Sequence, residues 1–153
     1  MGMNDLTFSP EAIEAMHEVG WDYSHPCSSG NFQCSYYQCS DRVEIARDLR
    51  DYTGYGVSHC DTSVDKGYWY VFLRTDAECL DFARRYNEYC DARQRIAKVL
   101  FNGVLLLKKE QHDRVTAMVD RYDKRFVGDY VMIVISEDET TRNVIAILDA
   151  LGM

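Results

Sequence analysis

The 153-residue chain is short of several things, and each shortage narrows what it can be. No apolar run approaches the ~18–20 residues of a membrane-spanning helix. The longest runs are residues 131–135 and 104–107. There are two prolines, no internal repeats and no Pro/Ser-rich linker, so a single α+β domain over residues 1–153 is expected. No basic-then-apolar leader opens the chain, and Leu6 stands where a myristoylation signal after Gly2 needs Ser or Thr. The expectation is a cytoplasmic protein. H-x-x-x-H, H-E-x-x-H, G-x-S-x-G, phosphate-loop and dinucleotide-glycine patterns are all missing, which speaks against the enzyme classes they mark.

Basic residues are scarce in one part of the chain. Residues 1–65 carry three (Arg42, Arg47, Arg50) against eleven acids, a balance of −8, while residues 66–153 carry fourteen of each sign. The whole net charge of −8 therefore lies in the first part. Such a field repels nucleic acid and speeds association with basic partners.

The local signals mark a run of elements. Ser9-Pro10-Glu11 opens a helix that Gly20 ends. Residues 21–39 read as a loop rich in Cys and aromatics, with a short strand over 32–37. A second helix starts at Ser40 or Asp41 and closes at Gly54, with Val43, Ile45, Ala46, Leu49 and Tyr52 inward. Asp41, Glu44, Asp48 and Asp51 form a carboxylate stripe on another side. A strand is expected over 55–60, then a turn, then an aromatic strand over 68–74 lying centrally in its sheet. Thr75-Asp76-Ala77-Glu78 is a capping box opening a long helix whose stripe runs Cys79, Ala83, Tyr86, Cys90, Ala97, Phe101. Beyond it come a strand or buried connector at 104–107, a helix over 110–125, an interior strand over 130–135, and a helix capped by Thr140 or Thr141. Adjacent hairpin strands and long helices give α+β, a mainly antiparallel sheet covered by helices with a C-terminal α-β-α extension.

Residues 66–73, Lys-Gly-Tyr-Trp-Tyr-Val-Phe-Leu, carry one resemblance. With the helix, strand, loop, strand and helix of residues 41–87, they resemble the middle of an RNA-recognition motif, a ferredoxin-like plait. The resemblance implies that Lys66, Tyr68 and Tyr70 sit on the open sheet face, stacking on single-stranded RNA bases and meeting phosphate. Trp69 departs from the pattern at a small-residue position, and Leu73 replaces an aromatic. The chain has enough helices to cover both sheet faces, so Tyr68, Tyr70 and Phe72 are expected under one.

Three function classes follow. The first is a non-catalytic protein-binding module. Its acidic surface (Asp41, Glu44, Asp48, Asp51), anchored by Trp21, Tyr36 and Tyr37, meets a basic protein such as a nucleic-acid enzyme. Small acidic phage inhibitors block host enzymes by this kind of charge mimicry. The second is single-stranded RNA binding on Lys66, Tyr68 and Tyr70. The third is a small zinc-stapled or thiol enzyme. Its zinc ligands would be His25, Cys27, Cys34 and Cys39, but gaps of six and four residues between the cysteines and the lack of C-x-x-C fit common zinc sites poorly. No catalytic residue, metal or other cofactor is expected.

Overall fold

The computed structural model describes residues 8–23, 30–37, 41–62, 66–136 and 138–153. The fold is α+β, with two antiparallel sheets and five helices. The chain separates into two compact units, Met1–Tyr89 and Cys90–Met153.

In the first unit, α1 (Pro10–Glu18) begins as its sequence predicts. The Ser9 hydroxyl accepts from the Ala12 amide at 3.1 Å, and Pro10 takes the first turn. Four strands follow the order β1-β2-β4-β3: β1 (Asp22–Tyr23), β2 (Asn31–Tyr37), β3 (Ser58–Asp61) and β4 (Lys66–Phe72). All neighbours are antiparallel, and β4 is interior as expected. The two residues of β1 lie inside the stretch expected to be loop. β3 starts three residues later than expected, because the 54–57 segment is a turn in which Val57 N–H donates to the Tyr55 carbonyl.

Helix α2 (Arg42–Thr53) connects β2 to β3, and Gly54 ends it in the left-handed conformation at φ 77°. Its buried residues are Ala46, Leu49 and Thr53, whereas Val43 is exposed, so the apolar arc is rotated from the expected one. Helix α3 (Asp76–Val99) starts at the capping box: the Glu78 amide donates to Thr75 Oγ1 at 3.1 Å, and Glu78 Oε1 accepts from the Arg74 amide at 2.7 Å. Its buried line runs Cys79, Phe82, Ala83, Tyr89, Ala92, Ile96. Ala97 and Phe101 are exposed, a correction to the expected stripe: the buried line passes through Tyr89 and Ile96, one residue out of phase with Cys90 and Ala97.

The second unit departs further from its sequence reading. Its sheet has the order β5-β7-β6, from β5 (Val104–Lys108), β6 (Asp123–Val127) and β7 (Tyr130–Val134). α4 (Lys109–Val119) stops six residues short of the expected helix end, because Val127-Gly128-Asp129-Tyr130 is a hairpin turn joining β6 to β7. Gly128 at φ 58° in the first central position suits a two-residue hairpin loop. α5 (Thr141–Leu151) is capped by Thr140, whose hydroxyl accepts from the Asn143 amide. The core joins Leu105, Leu107, Val131 and Ile133 of the sheet to Val115 and Val119 of α4 and Val144, Ile147, Leu148 and Leu151 of α5. β7 is the interior strand, as expected, but only alternate residues of its apolar run are buried.

Candidate functional site

The alternation of β4 separates two faces of the first sheet. Gly67, Val71 and Leu73 are buried with Phe32, Tyr36 and Ala46, while Lys66, Tyr68, Tyr70 and Phe72 point the other way. On that outer face the rings form a row: Tyr68 and Tyr70 centroids are 6.0 Å apart, Tyr70 and Phe72 5.6 Å. Phe72 is 55% exposed and the two tyrosines are half-buried. No described helix seals the row, which corrects the expectation that one would. Register places Gln33 and Ser58 beside Tyr70, Ser35 and Cys60 beside Tyr68, and Asn31 beside Phe72. Asn31 is buried, and its Oδ1 has no hydrogen-bond partner among the described residues.

Two of the three aromatic anchors expected near the acids, Trp21 and Tyr36, are not on the surface. Trp21 is fully buried, edge-on to Phe82 at 5.0 Å and Tyr86 at 5.4 Å. Tyr36 is buried against Trp69, and its hydroxyl donates to Asp61 Oδ1 at 2.5 Å. Loop residues and strand ends are often exposed, and nothing local announces the distant α3 that receives Trp21. Tyr37 ends β2, and its side chain lies outside the described positions, as do His25, Cys27, Cys39 and Ser40.

Of the carboxylate stripe, Asp41, Glu44 and Asp51 are exposed. Asp48 is half-buried and accepts from the Tyr89 hydroxyl at 3.0 Å, so it is not presented outward as expected. The same device recurs: Tyr55 donates to Asp81 at 2.9 Å, as Tyr36 does to Asp61. Asp61 and Asp81 are each held below the usual carboxylate range, first by those phenols and then by arginines. Much of the tyrosine richness is thus structural, a buried ring whose polar tip finds a carboxylate. α2 lies against the inner face of the sheet, where Trp69 Nε1 donates to the Arg42 carbonyl at 3.0 Å. The rings and the α2 acids therefore occupy opposite sides of one unit.

Nothing described converges on chemistry at a thiol or metal. Cys34 lies in β2, and no group of three or more His, Cys, Asp or Glu among the described residues could hold a metal ion. His59 and Cys60 fall on opposite faces of β3 by alternation. His112 is buried edge-on to Phe126. Among the described residues the closest His–carboxylate pair, His17 Nδ1 to Asp22 Oδ1 at 2.5 Å, is exposed and joins α1 to β1. Burial, ahead of Asp76 and Glu78, pushes the Cys79 thiol up from 9.0 to about 12. Its thiolate is thereby depleted at neutral pH. In mass-spectrometric alkylation at mildly alkaline pH, Cys79 is expected to stay unmodified in the folded protein and to react promptly in denaturant. Labelling of folded protein at the rate of an ordinary thiol would refute this.

Set against family models, curated proteins and solved structures, the chain matches none.

Proposed function

We propose that the N-terminal unit is a non-catalytic protein-binding module that uses the outer face of its sheet to take a partner rich in basic side chains. The observation that carries this is the ring row Tyr68, Tyr70 and Phe72 on the central strand, half-buried at the tyrosines and exposed at Phe72. Aromatic rings at a surface supply anchoring area at small entropic cost and attract guanidinium and ammonium groups to their faces. Charge selects the class of partner. Residues 1–89 hold fifteen acids against seven basic residues, again −8, and Lys66 is the single basic residue in the ring row. Nucleic-acid affinity comes largely from neutralised phosphates, which this unit repels. Asp41, Glu44 and Asp51, on the far side, steer the partner through their field and do not touch it at the rings. A nucleic-acid-binding protein, with its basic surface occupied by an acidic competitor, is the kind of partner this fits.

Single-stranded RNA on the same rings is the second reading. The chain order β2-α2-β3-β4-α3 favours it, since it follows the ferredoxin-like plait over five elements.

Carboxylate neutralisation separates the readings by sign. Asp41→Asn, Glu44→Gln and Asp51→Asn together are expected to slow association with an arginine-rich protein by about three- to tenfold at low salt. The same triple variant should bind labelled poly(U) no worse, and tighter if RNA is the ligand. Phe72→Ala with Tyr70→Ala is expected to weaken the arginine-rich protein by about tenfold or more. An unchanged affinity in that double variant, or tighter RNA binding with no effect on the basic protein, sinks the protein-binding reading.

A further inference from the structure

The second sheet leaves one face bare, and that face is apolar. Strand register lays it out as a grid of nine. One row is Val104, Val134, Asp123; the middle row is Leu106, Met132, Arg125; the last is Lys108, Tyr130, Val127. Leu106 is 54% exposed, Val127 and Val134 are each 50% exposed, and Tyr130 and Met132 are exposed as well. The opposite face holds Leu105, Leu107, Val131 and Ile133, all fully buried under α4 and α5. A contiguous apolar sheet face of this kind is uncommon on a protein that has no partner there.

We propose that this face packs against the same face of a second copy of the chain, with strands crossing close to a right angle. The positions of the three charges select both the occupant and the geometry. Two sheets facing each other across a two-fold axis can be superposed with the axis along the strands, across them, or along either diagonal. An axis along or across the strands sets Asp123 and Lys108 on partner valines, burying both without a counter-charge. The diagonal through Asp123 and Lys108 stacks each on its own copy. The diagonal through Val104, Met132 and Val127 sets Asp123 on Lys108 and Lys108 on Asp123. It also brings Arg125 over the Tyr130 ring, Leu106 over Val134, and Val104, Met132 and Val127 onto their own copies. Only this last arrangement sets Asp123 and Lys108 on opposite charges, gives Arg125 an aromatic ring and leaves apolar residues on apolar residues, and it is the orthogonal packing open to β-sheets. Nine side chains fall short of the roughly 20–30 per side of a standard interface, so the dimer forms reversibly at high concentration.

Sedimentation of the full chain from about 5 to 500 µM tests this, a span suited to a small interface. A concentration-dependent monomer–dimer equilibrium is expected. Met132→Lys, which sets two ammonium groups together on the axis, should leave monomer throughout. Asp123→Lys and Lys108→Asp should each raise the dimer dissociation constant about tenfold or more, and the double swap should restore it to within a few-fold. Circular dichroism checks that each variant is folded. A wild-type chain that stays monomeric at the top concentration overturns the proposal. So does a dimer that ignores Met132→Lys, or single swaps that the double swap fails to rescue.

Discussion

Trp21→Ala is expected to lower the unfolding free energy by about 3–5 kcal/mol, the range for removing a large aromatic from a core. The indole is fully buried, and its edge contacts to Phe82 and Tyr86 begin a run of rings that continues through Tyr89 to Tyr52 and, on the other side, through Phe82 to Tyr55. Those rings come from α2, α3 and the turn after α2, so the indole joins segments far apart in sequence. Small domains have only about 5–15 kcal/mol of stability, so the loss is a large part of the total. Trp21→Phe separates volume from polarity. The indole N–H is buried with no hydrogen-bond partner among the described residues, so the phenyl variant forfeits packing alone and should cost about 1–2 kcal/mol. Urea unfolding followed by circular dichroism measures both. A Trp21→Ala protein of near wild-type stability that had lost a binding partner would return Trp21 to the surface role that its loop position suggests.

Gly67→Ala should cost about 3 kcal/mol, more than a surface strand position allows. A Cβ there would sit 2.6 Å from the Cys60 carbonyl oxygen, 2.7 Å from Tyr36 Oη and 2.8 Å from Tyr36 Cζ. The carbonyl belongs to the β3–β4 ladder and cannot retreat without breaking register. The phenol can move only by giving up its 2.5 Å bond to Asp61. Two readouts follow: a lower thermal midpoint, and an Asp61 carboxyl that rises toward its ordinary pKa, since the Tyr36 hydrogen bond is the largest influence holding it down. NMR titration of Asp61 reads the second. Should the carboxyl titrate as in the parent protein, the phenol has not moved and the steric account fails. The glycine of the 66–73 octamer thus has a local cause, an aromatic ring from β2 laid across it, whatever the outer face of the strand binds.

The legible part of this fold was short-range. Ser9, Thr75 and Thr140 each cap the helix their neighbours predict, and Gly20, Gly54 and Gly152 follow helix ends. The aromatic octamer is a central strand, paired antiparallel to the strand before it. The β6–β7 hairpin carried a usable signal as well. Gly128-Asp129 between two runs of β-forming residues is a two-residue turn pattern, and the helical spacing of Val115, Met118, Val119 and Tyr122 extending toward it competes with that signal.

Coverage was not legible. Residues 130–135 are apolar throughout, and such a run reads the same whether both faces are packed or one is left open; α4 and α5 reach only one of them. Trp21 and Phe72 are both large aromatics next to loops, yet one is sealed by α3 and the other stands over half exposed. Asp48 belongs to the same helical stripe as Glu44, and a tyrosine 41 positions away takes it inward.

The sequence by itself determined the caps, the turns, the order of most elements and the confinement of the net charge to the first part of the chain. The tertiary structure alone decided which aromatics are core, which carboxylates are occupied by phenols, and which sheet faces stay uncovered. Capping and periodicity act within a turn or two of chain, whereas covering a face depends on elements tens of residues away, whose arrival no local pattern encodes.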